Sequence, residues 1–103
     1  MQVLKFSHNW NGKLHTNNFT TLRASDRIQV RDTLQIECKG FTPFTVRVIE
    51  KRAISVGKLT EAICLLDTGY PLAETQKIIQ KMYKIQDEDL DGFIMYWYLL
   101  QKI

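Results

Sequence analysis

The sequence has no apolar run near the roughly 18 to 20 residues that a membrane-spanning helix needs. Its start, Met-Gln-Val-Leu-Lys-Phe-Ser-His, alternates polar and apolar residues and lacks the long apolar stretch of a secretory signal, so a cytoplasmic protein is expected. Cysteine is scarce: Cys38 and Cys64 sit inside apolar patterns, outside any metal-ligand spacing, and read as buried free thiols in a reducing compartment. Two histidines, His8 and His15, stand seven apart with no third ligand spaced for zinc, so neither a metal nor a cofactor is expected. A phosphate loop, a nucleophile elbow, internal repeats and low-complexity tracts are all absent. What remains is an ordinary globular composition, 45% hydrophobic and 24% charged over 103 residues, enough for one core and one domain spanning 1–103.

The charge is uneven. Residues 1–58 hold ten Lys or Arg against four Asp or Glu, whereas residues 59–103 hold four against seven. A basic front half suits an anionic partner such as a nucleic acid.

Polar chemistry is concentrated in Gly12–Arg23, which carries Lys13, His15, Asn17, Asn18, three threonines and Arg23 between the turn residue Gly12 and the apolar anchors Phe19 and Leu22. This pattern predicts a loop leading into a short strand, with polar groups at the mouth of a pocket. The candidate ligand-binding residues are Lys13, His15, Asn18, Thr21 and Arg23.

Around that stretch, residues 2–6 read as a strand and Asn9-Trp10-Asn11-Gly12 as a turn. Ala24–Asp32 is polar, anchored by Ile28 and Val30. Leu34, Ile36 and Cys38 alternate with polar residues, as do Phe44, Val46 and Val48, which predicts a hairpin across Lys39–Pro43. Leu59, Ala62, Ile63 and Leu66 share a helical face, and Gly69 reads as its left-handed terminus. Pro71 opens a second helix with Leu72, Thr75, Ile79, Met82 and Tyr83 on one face. An acidic loop, Gln86–Gly92, precedes a closing strand over Phe93–Leu100, in which Tyr96, Trp97 and Tyr98 alternate faces. The expected fold class is α+β: a small curved sheet or barrel with a helical pair inserted before the last strand.

Two local motifs suggest chemistry that their context opposes. Leu65-Leu66-Asp67-Thr68-Gly69 matches the catalytic triplet of aspartic proteases, but it ends a helical pattern and no glycine-rich flap accompanies it. Asp87-Glu88-Asp89-Leu90-Asp91-Gly92 copies half of a calcium loop, yet the position of the bidentate Glu is Tyr98.

Thr21-Leu22-Arg23, Val30-Arg31-Asp32-Thr33-Leu34, Lys58-Leu59-Thr60-Glu61 and Asp67-Thr68-Gly69-Tyr70, in that order ahead of an apolar final strand, resemble an ASCH domain of the PUA-like superfamily. The resemblance implies a small β-barrel with helices and a cleft, and binding of RNA or a modified nucleoside through residues 12–23. Some ASCH proteins of similar length are amidohydrolases that deacylate acetylated cytidine, with a motif Gly-x-Lys-x-x-Thr-x-Arg and a Glu ahead of the second helix. Thr21 and Arg23 match that motif. In direct alignment its Lys falls on Asn18 and its acid near Thr68, with Asp67 adjacent, and only looping out about five residues brings Gly12 and Lys13 into register. A nucleic-acid- or nucleoside-binding module is therefore expected, with amide hydrolysis and a protein–protein adaptor as the alternatives. As a structural residue, Arg23 would pair with Asp26 or Asp67.

Overall fold

A computed structural model describes all residues from Met1 to Ile103. Five strands, β1 (Gln2–Phe6), β2 (Asn18–Arg23), β3 (Thr33–Cys38), β4 (Phe44–Ser55) and β5 (Ile94–Lys102), form one mixed sheet in the order β1-β3-β4-β5-β2. Helices α1 (Glu61–Thr68) and α2 (Leu72–Tyr83) lie between β4 and β5, so the helical pair precedes the last strand as the sequence pattern requires. No helix is long and apolar enough to cross a membrane.

β1 runs parallel to β3, and the other three pairings are antiparallel. The expected β3–β4 hairpin forms with Leu34 opposite Val46 and Ile36 opposite Phe44. β4 continues beyond the hairpin to twelve residues, slips register between Val48 and Glu50, and pairs with β5 along most of its length. A bulge at that point bends the strand and increases its twist, so one long strand serves both halves of the sheet.

The sheet is not closed into a barrel. β1 and β2 are its two edges and share no backbone ladder. Arginines reach across the opening instead: Arg23 donates from Nη2 to Lys5 O at 3.0 Å, and Arg27 from Nη2 to Val3 O at 3.1 Å. The chain after β2 is also tied to the sheet by the Tyr98 hydroxyl, which donates to Ser25 O at 3.0 Å.

Two apolar clusters flank the cleft described below. The larger takes Leu4, Phe6, Leu14, Phe19, Ile28, Leu34, Ile36, Val46, Val48, Tyr98 and Leu100 from every strand and from the intervening loops. The smaller holds Val56, Leu59, Cys64, Ile79 and Met95 beneath the helices. Of the loop anchors, Ile28 is buried and Val30 is exposed.

Thr60 caps α1, its hydroxyl accepting from Ile63 N at 3.2 Å, and Gly69 ends it at φ +80°. The buried face of α1 differs from the apolar stripe. Cys64 and Asp67 are buried, while Leu66 is 62% exposed. On α2, Thr75 and Ile79 face inward as expected, and Met82 is left exposed. The last turn of α1 is polar inside because Asp67 faces Lys13 and Thr20, whereas α2 walls the cleft mostly with apolar side chains. The cysteines are free; Cys64 is buried, and burial raises its thiol pKa, whereas Cys38 is only half-buried.

Candidate functional site

The turn that carries Lys13 is built by two consecutive left-handed residues. Asn11 (φ 57°) and Gly12 (φ 64°) interrupt a 3-10 segment, Trp10–His15, and fold it back against the sheet. Asparagine and glycine are the residues that tolerate this geometry. Leu14 N donates to Asn9 Oδ1 at 2.8 Å, and the Leu14 side chain is fully buried in the larger core. Lys102 Nζ holds the same turn from β5 by donating to Leu14 O at 2.7 Å. Asn11 Nδ2 donates to Leu65 O on α1 at 3.1 Å. Gly69 packs so closely on the Asn11 side chain that an added Cβ would lie 3.1 Å from its Oδ1.

Anchored at these points, the turn buries Lys13 to 5% exposure and places its ammonium 2.8 Å from Asp67 Oδ1. The same carboxylate oxygen accepts from Thr20 Oγ1 at 3.2 Å. Arg23 Nε donates to Thr21 Oγ1 at 3.0 Å. Phe6 lies between the two cations, with Lys13 Nζ 5.4 Å and Arg23 Cζ 4.6 Å from its ring centroid. Lys13, Thr21, Arg23 and Asp67 line one cleft of about 120 Å³, walled by Phe6, Trp10 and residues of α2. This volume suits a single small ring system, since sites for drug-sized ligands run to roughly 300–1,000 Å³.

Burial holds the Lys13 pKa below the ordinary lysine value of 10.5; Asp67 opposes that shift through attraction and its hydrogen bond, and nearby Arg23 adds to it. The Arg23 pKa is also lowered by burial, but a guanidinium remains charged in proteins. A buried amine with a depressed pKa, a hydroxyl and a fixed cation lining one cleft are the constellation from which an activated nucleophile can be assembled.

Of the five candidate ligand residues, Lys13, Thr21 and Arg23 meet in the cleft. His15 is exposed and stacks against Phe41 with ring centroids 5.0 Å apart, outside the cleft. Asn18 is the exposed first residue of β2, and its carbonyl accepts from Thr16 Oγ1. Lys13 rather than Asn18 therefore shares the cleft with Thr21 and Arg23, because the turn at Asn11 and Gly12 folds the chain back. Thr68 makes only local bonds, with Cys64 O, Tyr70 N and Thr75 Oγ1, and Asp67 is the one carboxylate that lines the cleft. Arg23 pairs with neither Asp26 nor Asp67; its hydrogen bonds go to Thr21 and Lys5. Thr20 and Trp10 were not among the sequence candidates, and neither carries a spacing signal that would have singled it out.

No family model matches the sequence, and no curated protein matches it. The fold is similar to the crystal structure of a hypothetical protein, PH0355, with a TM-score of 0.60 over 99% of this chain and 98% of that one, at 14% identity. Likeness at that identity concerns the fold alone. The class shown is an α+β protein with a five-stranded mixed sheet and a helical pair before the last strand.

Proposed function

We propose that the cleft binds a nucleoside-class ligand, free or as an unpaired base in RNA, and that Thr21 deacylates it when the base carries an acyl amide. The observation that carries this reading is the Lys13–Asp67 pair sharing one small cleft with the Thr21 hydroxyl already contacted by Arg23. The ASCH resemblance supports the ligand class, and these four residues support the chemistry.

In the proposed reaction Lys13, once it has lost its proton, takes the Thr21 proton while Thr21 Oγ1 bonds to the acyl carbon. Asp67 keeps the amine in place, and Arg23 Nε stays close to the reacting oxygens, where a fixed donor stabilises developing negative charge. Collapse breaks the acyl C–N bond, and the exocyclic nitrogen leaves with the proton held by Lys13. Water then hydrolyses the Thr21 ester and releases the acid.

The test is incubation with N4-acetylcytidine, followed by chromatographic separation of cytidine. The expected result is release of cytidine that Thr21→Ala abolishes in protein that still unfolds cooperatively. Saturable binding without turnover would reduce the protein to a binding module, which the basic front half also supports. Neither binding nor turnover would remove both readings and return the adaptor.

A further inference from the structure

A second cavity, of about 250 Å³, adjoins the cleft and shares Arg23 and Tyr83 with it. Its remaining lining includes Ser25 and Arg27, and no carboxylate faces into it. Each guanidinium is held by one β1 carbonyl and one side-chain oxygen. Arg23 is fixed by Thr21 Oγ1 and Lys5 O, and Arg27 by Val3 O, with a long contact of 3.4 Å to Gln2 Oε1. A guanidinium carries five N–H donors, so about three on each arginine remain uncommitted. The Ser25 hydroxyl accepts from Arg27 N at 3.3 Å and keeps its own proton available. Two oriented guanidiniums and a hydroxyl around a cavity without acid are a donor set for a tetrahedral oxyanion, because planar forks match phosphate oxygens in pairs.

We infer that this second cavity is a phosphate subsite, so that the ligand of the cleft is a nucleotide rather than a bare nucleoside. The inference rests on the nucleoside reading above and assigns its substrate class. Arg23 joins the two halves: its Nε faces the reacting hydroxyl in the cleft, and it also lines the adjoining cavity. The phosphate chemistry is common to a free mononucleotide and to a phosphodiester in a single-stranded RNA.

The experiment compares cytidine, cytidine 5′-monophosphate, cytidine 3′-monophosphate and a cytidine-containing dinucleotide by calorimetry, with inorganic phosphate titrated separately against the arginine Nε–H resonances. Tighter binding of a phosphate-bearing ligand by about tenfold or more, weakened by salt, is expected. Arg27→Gln should erase that gain and leave cytidine affinity unchanged. A monophosphate equal to the dinucleotide assigns a free nucleotide, and a dinucleotide that binds better still assigns RNA. Equal affinity for cytidine and all its phosphorylated forms overturns the subsite while leaving the nucleoside reading intact. Phosphate-induced shifts of the Arg23 and Arg27 resonances with no cytidine binding would keep the subsite and remove the nucleoside reading. Should Arg27→Gln fail to fold, the ligand series and the phosphate titration on the unmodified protein still decide.

Discussion

The molecule contains two ion pairs of similar length and opposite setting. Lys13 and Asp67 meet at 2.8 Å with side chains 5% and 9% exposed, in the cleft. Arg52 and Glu50 meet at 3.1 Å on β4 with side chains 69% and 41% exposed. In water the second pair gains little, because solvent screens the charges and both side chains lose rotamer freedom. The first pair has lost its water, so each partner depends on the other. The difference lies in the backbone. Six residues with two left-handed positions and a buried Leu14 force Lys13 inward, whereas Arg52 sits on a strand face that leaves it free. A lysine is expensive to bury, and here the turn that buries it also brings it to its only ion-pair partner, Asp67, on α1.

The sharpest way to break this contrast is Lys13→Met. It strands a buried carboxylate, and removing one partner of such a pair costs about 3–5 kcal/mol, read as a fall in the denaturation midpoint. Adding Asp67→Leu should return much of that loss while activity stays absent. Full recovery of activity in the double variant would show that neither residue serves the reaction.

Asp67→Asn tests the electrostatics without removing the amine. The carboxylate raises the Lys13 pKa, so its loss moves that pKa further down. The neutral base then appears at lower pH, and the acidic limb of the pH–rate profile should shift the same way. In the unmodified protein the sign for stability is also defined. The folded chain releases the Lys13 proton before the unfolded chain does, so stability gains with pH between the lowered folded value and 10.5. Below both values the burial penalty is felt in full. A limb that moves upward in Asp67→Asn would contradict the arrangement.

Gly69→Ala is next in size. At φ +80° an L-residue costs about 1–2 kcal/mol, and the new Cβ would press on Asn11, the residue that ties the Lys13 turn to α1. Melting temperature should fall, and NMR signals of the turn should shift. The smallest effect belongs to Arg52→Ala, expected at about 0–1 kcal/mol and vanishing in high salt; a larger loss by chemical denaturation would mean that the two pairs differ less than their exposure implies.

Much of the architecture is written in local patterns. Period-two alternation at Leu34–Cys38 and Phe44–Val48 marks the hairpin, and Gly69 with Pro71 separates the helices, because each depends on residues a few positions apart. That the sheet stays open rather than closing into the expected barrel was not legible in the same way. Closure depends on how β1 and β2 face each other across the sheet, and here arginine side chains span that distance in place of a ladder. For the site, Thr21 and Arg23 were readable because they lie two apart on one strand. Lys13 was a candidate, but its nearness to Thr21 and Arg23 was not readable from spacing, because counting along the sequence assumes an extended path and Asn11 and Gly12 fold that path back. The buried face of α1 was misjudged at Leu66 for a related reason: apolar periodicity finds the side that meets the core, and α1 also turns Asp67 toward a cation.

The arginines across the open side of the sheet have a consequence for how the protein behaves among its own copies. An edge strand with free carbonyls is a template on which another chain can add a strand, the first step toward aggregation. On β1 the carbonyls of Val3 and Lys5 are already taken by Arg27 and Arg23, and the occupying groups carry positive charge. A second β1 approaching that edge would meet two cations before it met an acceptor. The arginines that tie the open side of the sheet together also act as gatekeepers against self-association.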